Sequence, residues 1–129
     1  MDINFWGVLC ATVASFVLGG LWYSKLLFGT VWNREAGIDE AAAAHPAKVF
    51  GLAFVFTLII AIALSWLLGP YPSLIEGIRT GLVVGVGFVA CSFGVNYQFS
   101  QKSGKLLSID AGFYIMQFLI MSIILGIWP

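Results

Sequence analysis

The stretch Gly19–Gly37, GGLWYSKLLFGTVWNREAG, closes a long apolar run with Trp22 and Tyr23, spends one lysine, and then shows Leu26, Leu27, Phe28, Val31 and Trp32 before Arg34 and Glu35. In water, such a return to large apolar side chains after a charge has no evident use. In a bilayer it does. Trp22 and Tyr23 suit the membrane–water interface as amphipathic rings, and Lys25 snorkels to the headgroups. Leu26 to Trp32 then lie along the surface. The stretch predicts the end of a membrane span followed by a short interfacial helix begun at Thr30, or by an ordered loop packed under the bundle. A further helical turn, capped by Asp39, is expected over 39–45.

Composition points the same way. Of 129 residues, 60% are hydrophobic and 9% charged, against about 25% charged in a soluble domain. Six Lys+Arg and six Asp+Glu give a formal net charge of zero. That is too little charge to clothe a small soluble protein, and there is no basic surplus for nucleic acid.

Working outward, four segments are long and apolar enough to cross about 30 Å of hydrocarbon as helices. They span about 3–23, 47–68, 73–97 and 107–128. The fold class is all-α: an integral membrane bundle of four transmembrane helices in one domain over 1–129. The runs lack the alternation of barrel strands. The first has no basic leader and no cleavage pattern, so it reads as a span and not as a signal peptide. Gly69-Pro70-Tyr71-Pro72 is a tight connector. Ser73-x-x-Glu76 is a capping box opening span three. Pro46, after His45, suits a first helical position. Gln101 to Lys105 form the last polar turn.

Lys25, Arg34, Lys48, Lys102 and Lys105 flank the first and third connectors, and only Arg79 lies on the other side. The positive-inside rule therefore places those connectors in the cytoplasm and both termini outside, periplasmic for a bacterial inner-membrane protein. The basic connectors would meet anionic lipid headgroups.

Lipid tails do not drive helices together, so association relies on close backbone approach. Span one carries Ala11-xxx-Ser15-xxx-Gly19, and span three carries Gly77-xxx-Gly81-xxx-Gly85. These two stripes are expected to meet, within one chain or between copies in a homo-oligomer. Gly20-Leu21-Trp22-Tyr23 and Gly94-Val95-Asn96-Tyr97 also echo each other, as an old duplication would.

Polar residues within spans are the default functional candidates. Asp110, Tyr114, Gln117 and Met121 share one face of span four. Asp110 is read either as a cap in the first turn or as part of a polar path or seam, with Asn96, Gln98 and Ser24 able to join it. Glu76 and Arg79 are read as capping and pairing. His45 is read as a cap or a solvated side chain, or else as a ligand or a pH sensor. Cys10 and Cys91 lie at different depths, so no disulfide is expected. No metal-ligand cluster and no nucleophile, dinucleotide or phosphate-loop motif occurs. No enzyme activity, cofactor or metal is predicted.

Residues 19–24 with Phe28-Gly29 and Trp32, and Ile109-Asp110-Ala111-Gly112-Phe113-Tyr114 with Leu125-Gly126-Ile127-Trp128, resemble the opening and closing signatures of a bacterial membrane family, domain of unknown function 1761 (DUF1761). The resemblance covers nearly the whole chain. It implies a small four-span membrane protein and no assigned activity; the interfacial motif Trp22, Tyr23, Ser24, Trp32 is a plausible site in such relatives. Lys25 stands where many relatives carry proline, so the first helix is expected to continue further here. Two functions follow as expectations. One is a homo-oligomeric transporter or channel-like protein for a small solute or ion, its path lined by Asp110, Tyr114, Gln117 and Asn96. The other is a non-catalytic membrane scaffold or accessory subunit binding protein or lipid.

Overall fold

The computed structural model describes residues 3–38 and 46–128. Five helices follow one another: α1 (Phe5–Trp22), α2 (Gly29–Ala36), α3 (Pro46–Leu68), α4 (Leu74–Phe99) and α5 (Gly104–Ile127). No strand occurs among the described residues. The four long helices are the four spans expected. His45 and the turn expected over 39–45 lie outside the described residues.

Local chemistry sets most helix ends. Asn4 caps α1 by accepting the Gly7 N–H at 3.0 Å. Pro46 is the first residue of α3, as expected. The capping box is complete: Ser73 Oγ accepts the Glu76 N–H at 3.1 Å, and Glu76 Oε2 accepts the Ser73 N–H at 3.0 Å. Replacing Ser73 with alanine is expected to cost about 1 kcal/mol, read as a lower thermal midpoint in detergent. Glu76 is thereby used in the cap, and no ion pair between it and Arg79 appears among the described residues.

Three expectations need correction at helix ends. Span four starts at Gly104, capped by Ser103 Oγ on the Leu106 N–H at 3.1 Å. Asp110 therefore sits in the second turn and does not cap. The first helix does not run on through Lys25. It stops at Trp22, and the chain turns tightly, with Phe28 N–H reaching Trp22 O and Gly29 N–H reaching Ser24 O at 2.8 Å. Glycine is required there, since a Cβ on Gly29 would stand 2.4 Å from Tyr23 O. Finally, α2 exists, but it begins at Gly29 with Phe28 in the cap position, so Thr30 is its second residue and not its cap. Gly37, at φ 68°, ends it in the left-handed region that favours glycine.

The bundle is organised around α5. Half of its most apolar window is buried, against 28% for α1, 17% for α3 and 11% for α4. The small-residue stripes explain how its neighbours come so close, but they do not meet each other. The glycines of α4 face α5: Gly77 lies on Ser122, Gly81 on Phe118 and Leu119, and Gly85 on Ile115 and Phe118. Gly126 answers from α5, lying against Gly77 and Ser73. The stripe of α1 faces α5 as well, through Ser15 onto Gln117 and Gly19 onto Phe113. One helix takes both stripes, so neither remains free to join copies of the chain. The main apolar core (Val8, Ala11, Ala61, Leu64, Phe118, Met121 and Leu125) lies toward the end that carries Pro70 and Pro72, the proline end. At the opposite, basic end the packing becomes aromatic.

Residues Val83–Ala90 of α4 form a π-helical stretch. In an α-helix, residues four apart drift around the axis by about 40° at each step. Continued from Gly77, that drift would carry Tyr97 away from α5. The wider π turn, of roughly 4.4 residues, drifts the opposite way. The row Gly77, Gly81, Gly85, Val89, Phe93, Tyr97 accordingly stays buried or half-buried along its whole length.

Candidate functional site

Asp110 is the point where four helices converge. Its side chain is buried, 7% exposed. Tyr23, the residue that ends α1, donates its hydroxyl to Oδ1 at 2.7 Å. Trp32, on α2, donates its indole N–H to the same oxygen at 2.8 Å. Tyr97, near the end of α4, donates its hydroxyl to Oδ2 at 2.5 Å. Trp22 adds an indole N–H to the Ile109 carbonyl at 3.0 Å. Each donor is placed by a local feature already described: the stop of α1 at Trp22, the Gly29 turn that folds α2 back, and the π stretch of α4.

The electrostatics are one-sided. All three groups on the carboxylate are neutral. Among the described residues the ion pair formed is Arg34–Glu35, at 3.9 Å and on the surface, and none reaches Asp110. Hydrogen bonds to a charged acceptor are each worth about 1.5–3 kcal/mol, which is how an acid is kept at this depth without a cation. Aromatic rings close the surroundings. Tyr23 stands edge-on to Trp32 at 5.5 Å and to Phe113 at 5.3 Å. Tyr114 stacks on Phe93 at 5.1 Å.

The interfacial motif and the polar face, separate in the sequence reading, thus form one cluster through Tyr23, Trp32 and Asp110. Other candidates lie elsewhere. Ser24 donates to Leu21 O and does not reach Asp110. Asn96 is exposed, receives the Ser100 hydroxyl, and lines a shallow pocket of about 300 Å³ with Phe88, Ser92 and Phe93. Gln98 is exposed. Gln117 is 2% exposed; its Oε1 accepts the Ser15 hydroxyl at 2.7 Å, and its Nε2 has no partner among the described residues. Ser122 Oγ is buried and unpartnered in the same sense. Met121 is fully buried in the core. The face from Asp110 to Met121 is therefore packed against its neighbours. A larger cleft, of about 460 Å³, opens at the proline end between Asn4, Ser65, Tyr71 and Trp128. Neither cavity is lined by Asp110, Tyr114 or Gln117.

Tyr97 is the site residue that sequence reasoning missed. A signal existed, since the echo of residues 20–23 in 94–97 pairs Tyr23 with Tyr97. Those two tyrosines take the two oxygens of Asp110. Cys10 and Cys91 are free and exposed. No cluster of three or more His, Cys, Asp or Glu side chains occurs among the described residues.

No curated protein and no solved structure matches the chain. A family model described as protein of unknown function (DUF1761) matches residues 6–126, a range that includes every member of the Asp110 cluster. With four spans in place and nearly its whole length matched, the chain belongs to the DUF1761 family of proteins of unknown function.

Proposed function

We propose that this chain is a non-enzymatic, multi-pass protein of a bacterial inner membrane that receives a small solute or ion at Asp110 and passes it across the bilayer as a homo-oligomer. The observation that carries the reading is Asp110 itself: an acid buried in a spanning helix, held by neutral donors with no basic partner among the described residues. Ionisable groups at such positions are expensive and serve pathways and binding sites more than packing. The basic end, with Lys25, Arg34, Lys48, Lys102 and Lys105, faces the cytoplasm and anionic headgroups in this reading, with the termini periplasmic. Met121 and the Ser15–Gln117 bond fill the bundle between Asp110 and the proline end. Passage therefore requires α1 and α5 to part along that seam.

A second reading, the scaffold or accessory subunit, is favoured by a different observation. A Cβ added at Gly20, Gly51, Gly87 or Gly94 would meet nothing within 4 Å. These glycines leave smooth outer faces on α1, α3 and α4 where another protein's helix would pack closely.

Single-cysteine accessibility along α5 separates the two. Cys10 and Cys91 are replaced by alanine, and cysteine is placed in turn at 112, 114, 115, 117, 119 and 121 in native membranes. Labelling by a membrane-impermeant thiol reagent at 114, 117 and 121, with 112, 115 and 119 protected, is the outcome expected of a path. Uniform protection would end the transport reading in favour of the scaffold.

A further inference from the structure

The geometry points to a ligand class for Asp110: we propose that the site takes a primary ammonium ion carrying a flat apolar group, and that Trp32 holds its place until α2 lifts away. This rests on the reading of Asp110 as a binding site and adds the chemistry of what binds.

The argument starts from the acceptors. With Trp32 withdrawn, Oδ1 of Asp110 loses one of its two donors. The phenol oxygens of Tyr23 and Tyr97, each within hydrogen-bond distance of the carboxylate, keep free lone pairs. One carboxylate oxygen and two phenol oxygens match the three donors of a primary ammonium. They are too few for a hard metal cation, which takes about six oxygens or more. Charge acts in the same direction. A cation on Oδ1 supplies a positive partner, which no described residue gives the carboxylate, and charge-assisted bonds are roughly twice as strong as neutral ones.

The space argument follows from Trp32. Its indole occupies the position beside Oδ1 and meets the edge of Tyr23. Moving it away vacates an aromatic-sized slot with the acceptors at its inner end. The element that would move is lightly held. Of the eight residues of α2 only Gly29 is buried, and Gly37 at its far end has the conformational freedom of a hinge. Because opening must precede binding, the observed affinity is lowered by the fraction of open molecules.

The test uses the full chain in lipid nanodiscs with ¹⁵N-labelled indoles, the Trp32 resonance being assigned by its loss in Trp32→Phe. The probes are phenethylammonium and its neutral analogue 2-phenylethanol. A saturable shift of the Trp32 resonance is expected with phenethylammonium, at a midpoint about tenfold or more below that of 2-phenylethanol, and it is expected to vanish in Asp110→Asn. Equal midpoints for the two probes, with Asp110 still required, would leave the site standing and overturn the ammonium assignment. No saturable shift from either probe, or an undiminished one in Asp110→Asn, would overturn the site as well. Should Asp110→Asn fail to fold, Trp32→Phe decides, with the Trp22 indole on the Ile109 carbonyl as reporter. Without the competing N–H the midpoint should fall several-fold, and an unchanged or higher midpoint would overturn the proposal.

Discussion

Gly77→Leu is expected to prevent the bundle from assembling. A Cβ on Gly77 would stand 2.4 Å from the Ser122 carbonyl oxygen and 3.5 Å from Gly126 Cα. Those are backbone atoms of α5, so no side-chain rotation relieves the clash. The helices must separate, and the contacts of Gly81 with Leu119 and of Gly85 with Ile115 go with them. Overpacking in a close-packed interior costs about 1–3 kcal/mol, occasionally more. Leucine at a backbone contact belongs at the upper end. Even Gly77→Ala should lower the thermal midpoint, although alanine is the better helix former by about 1 kcal/mol. Gly87→Leu is the matched control, because nothing lies within 4 Å of that position. It removes a helix glycine without a clash, so it should leave stability unchanged or raise it by up to about 1 kcal/mol. Size-exclusion profiles with thermal melts in one detergent measure all three. Equal behaviour of Gly77→Leu and Gly87→Leu would refute the packing account.

Asp110→Leu is the second large effect. It strips the acceptor from Tyr23, Trp32 and Tyr97 at once. Leaving a buried donor unpaired costs about 1–3 kcal/mol. The three donors here are partly buried, so a total loss of about 3–5 kcal/mol is expected on that scale. Asp110→Asn retains an acceptor oxygen and should cost less than half as much. Because the basic end of α1, α2 and α4 is tied to α5 through this side chain, the loss should be local before it is global. Proteolysis or hydrogen exchange in 23–37 should rise in Asp110→Leu ahead of any change around Gly81. Protection of α2 unchanged in Asp110→Leu would mean that Trp32 does not hold it.

The spans were legible because membrane crossing is a local property of about twenty consecutive residues. The capping box and Pro46 were legible for the same reason, since caps act over three or four positions. Span four starts three residues before the expected position because Gln101 to Lys105 has the composition of a polar turn, while Ser103 caps there and the helix begins at once. That shift of three residues removes the capping alternative for Asp110 and leaves it a buried acceptor on the polar face. The stripes were recognisable as close-packing surfaces, but spacing along one helix does not name the helix opposite. The π stretch had no sequence signature, and without it Tyr97 would point away from Asp110.

By itself the sequence determined that this protein is a four-span helical bundle, which end of it is basic, and which faces allow close approach. Each of these follows from hydropathy, charge and side-chain size summed along the chain. Tertiary structure alone decided that α5 is the central helix, and that Tyr23, Trp32 and Tyr97, which are 87, 78 and 13 residues from Asp110, close on one carboxylate. Those partners are set by the turn at Gly29, by the widened turns of α4, and by two small-residue stripes converging on one helix. In lipid, where apolar burial does not select neighbours, such contacts choose the arrangement.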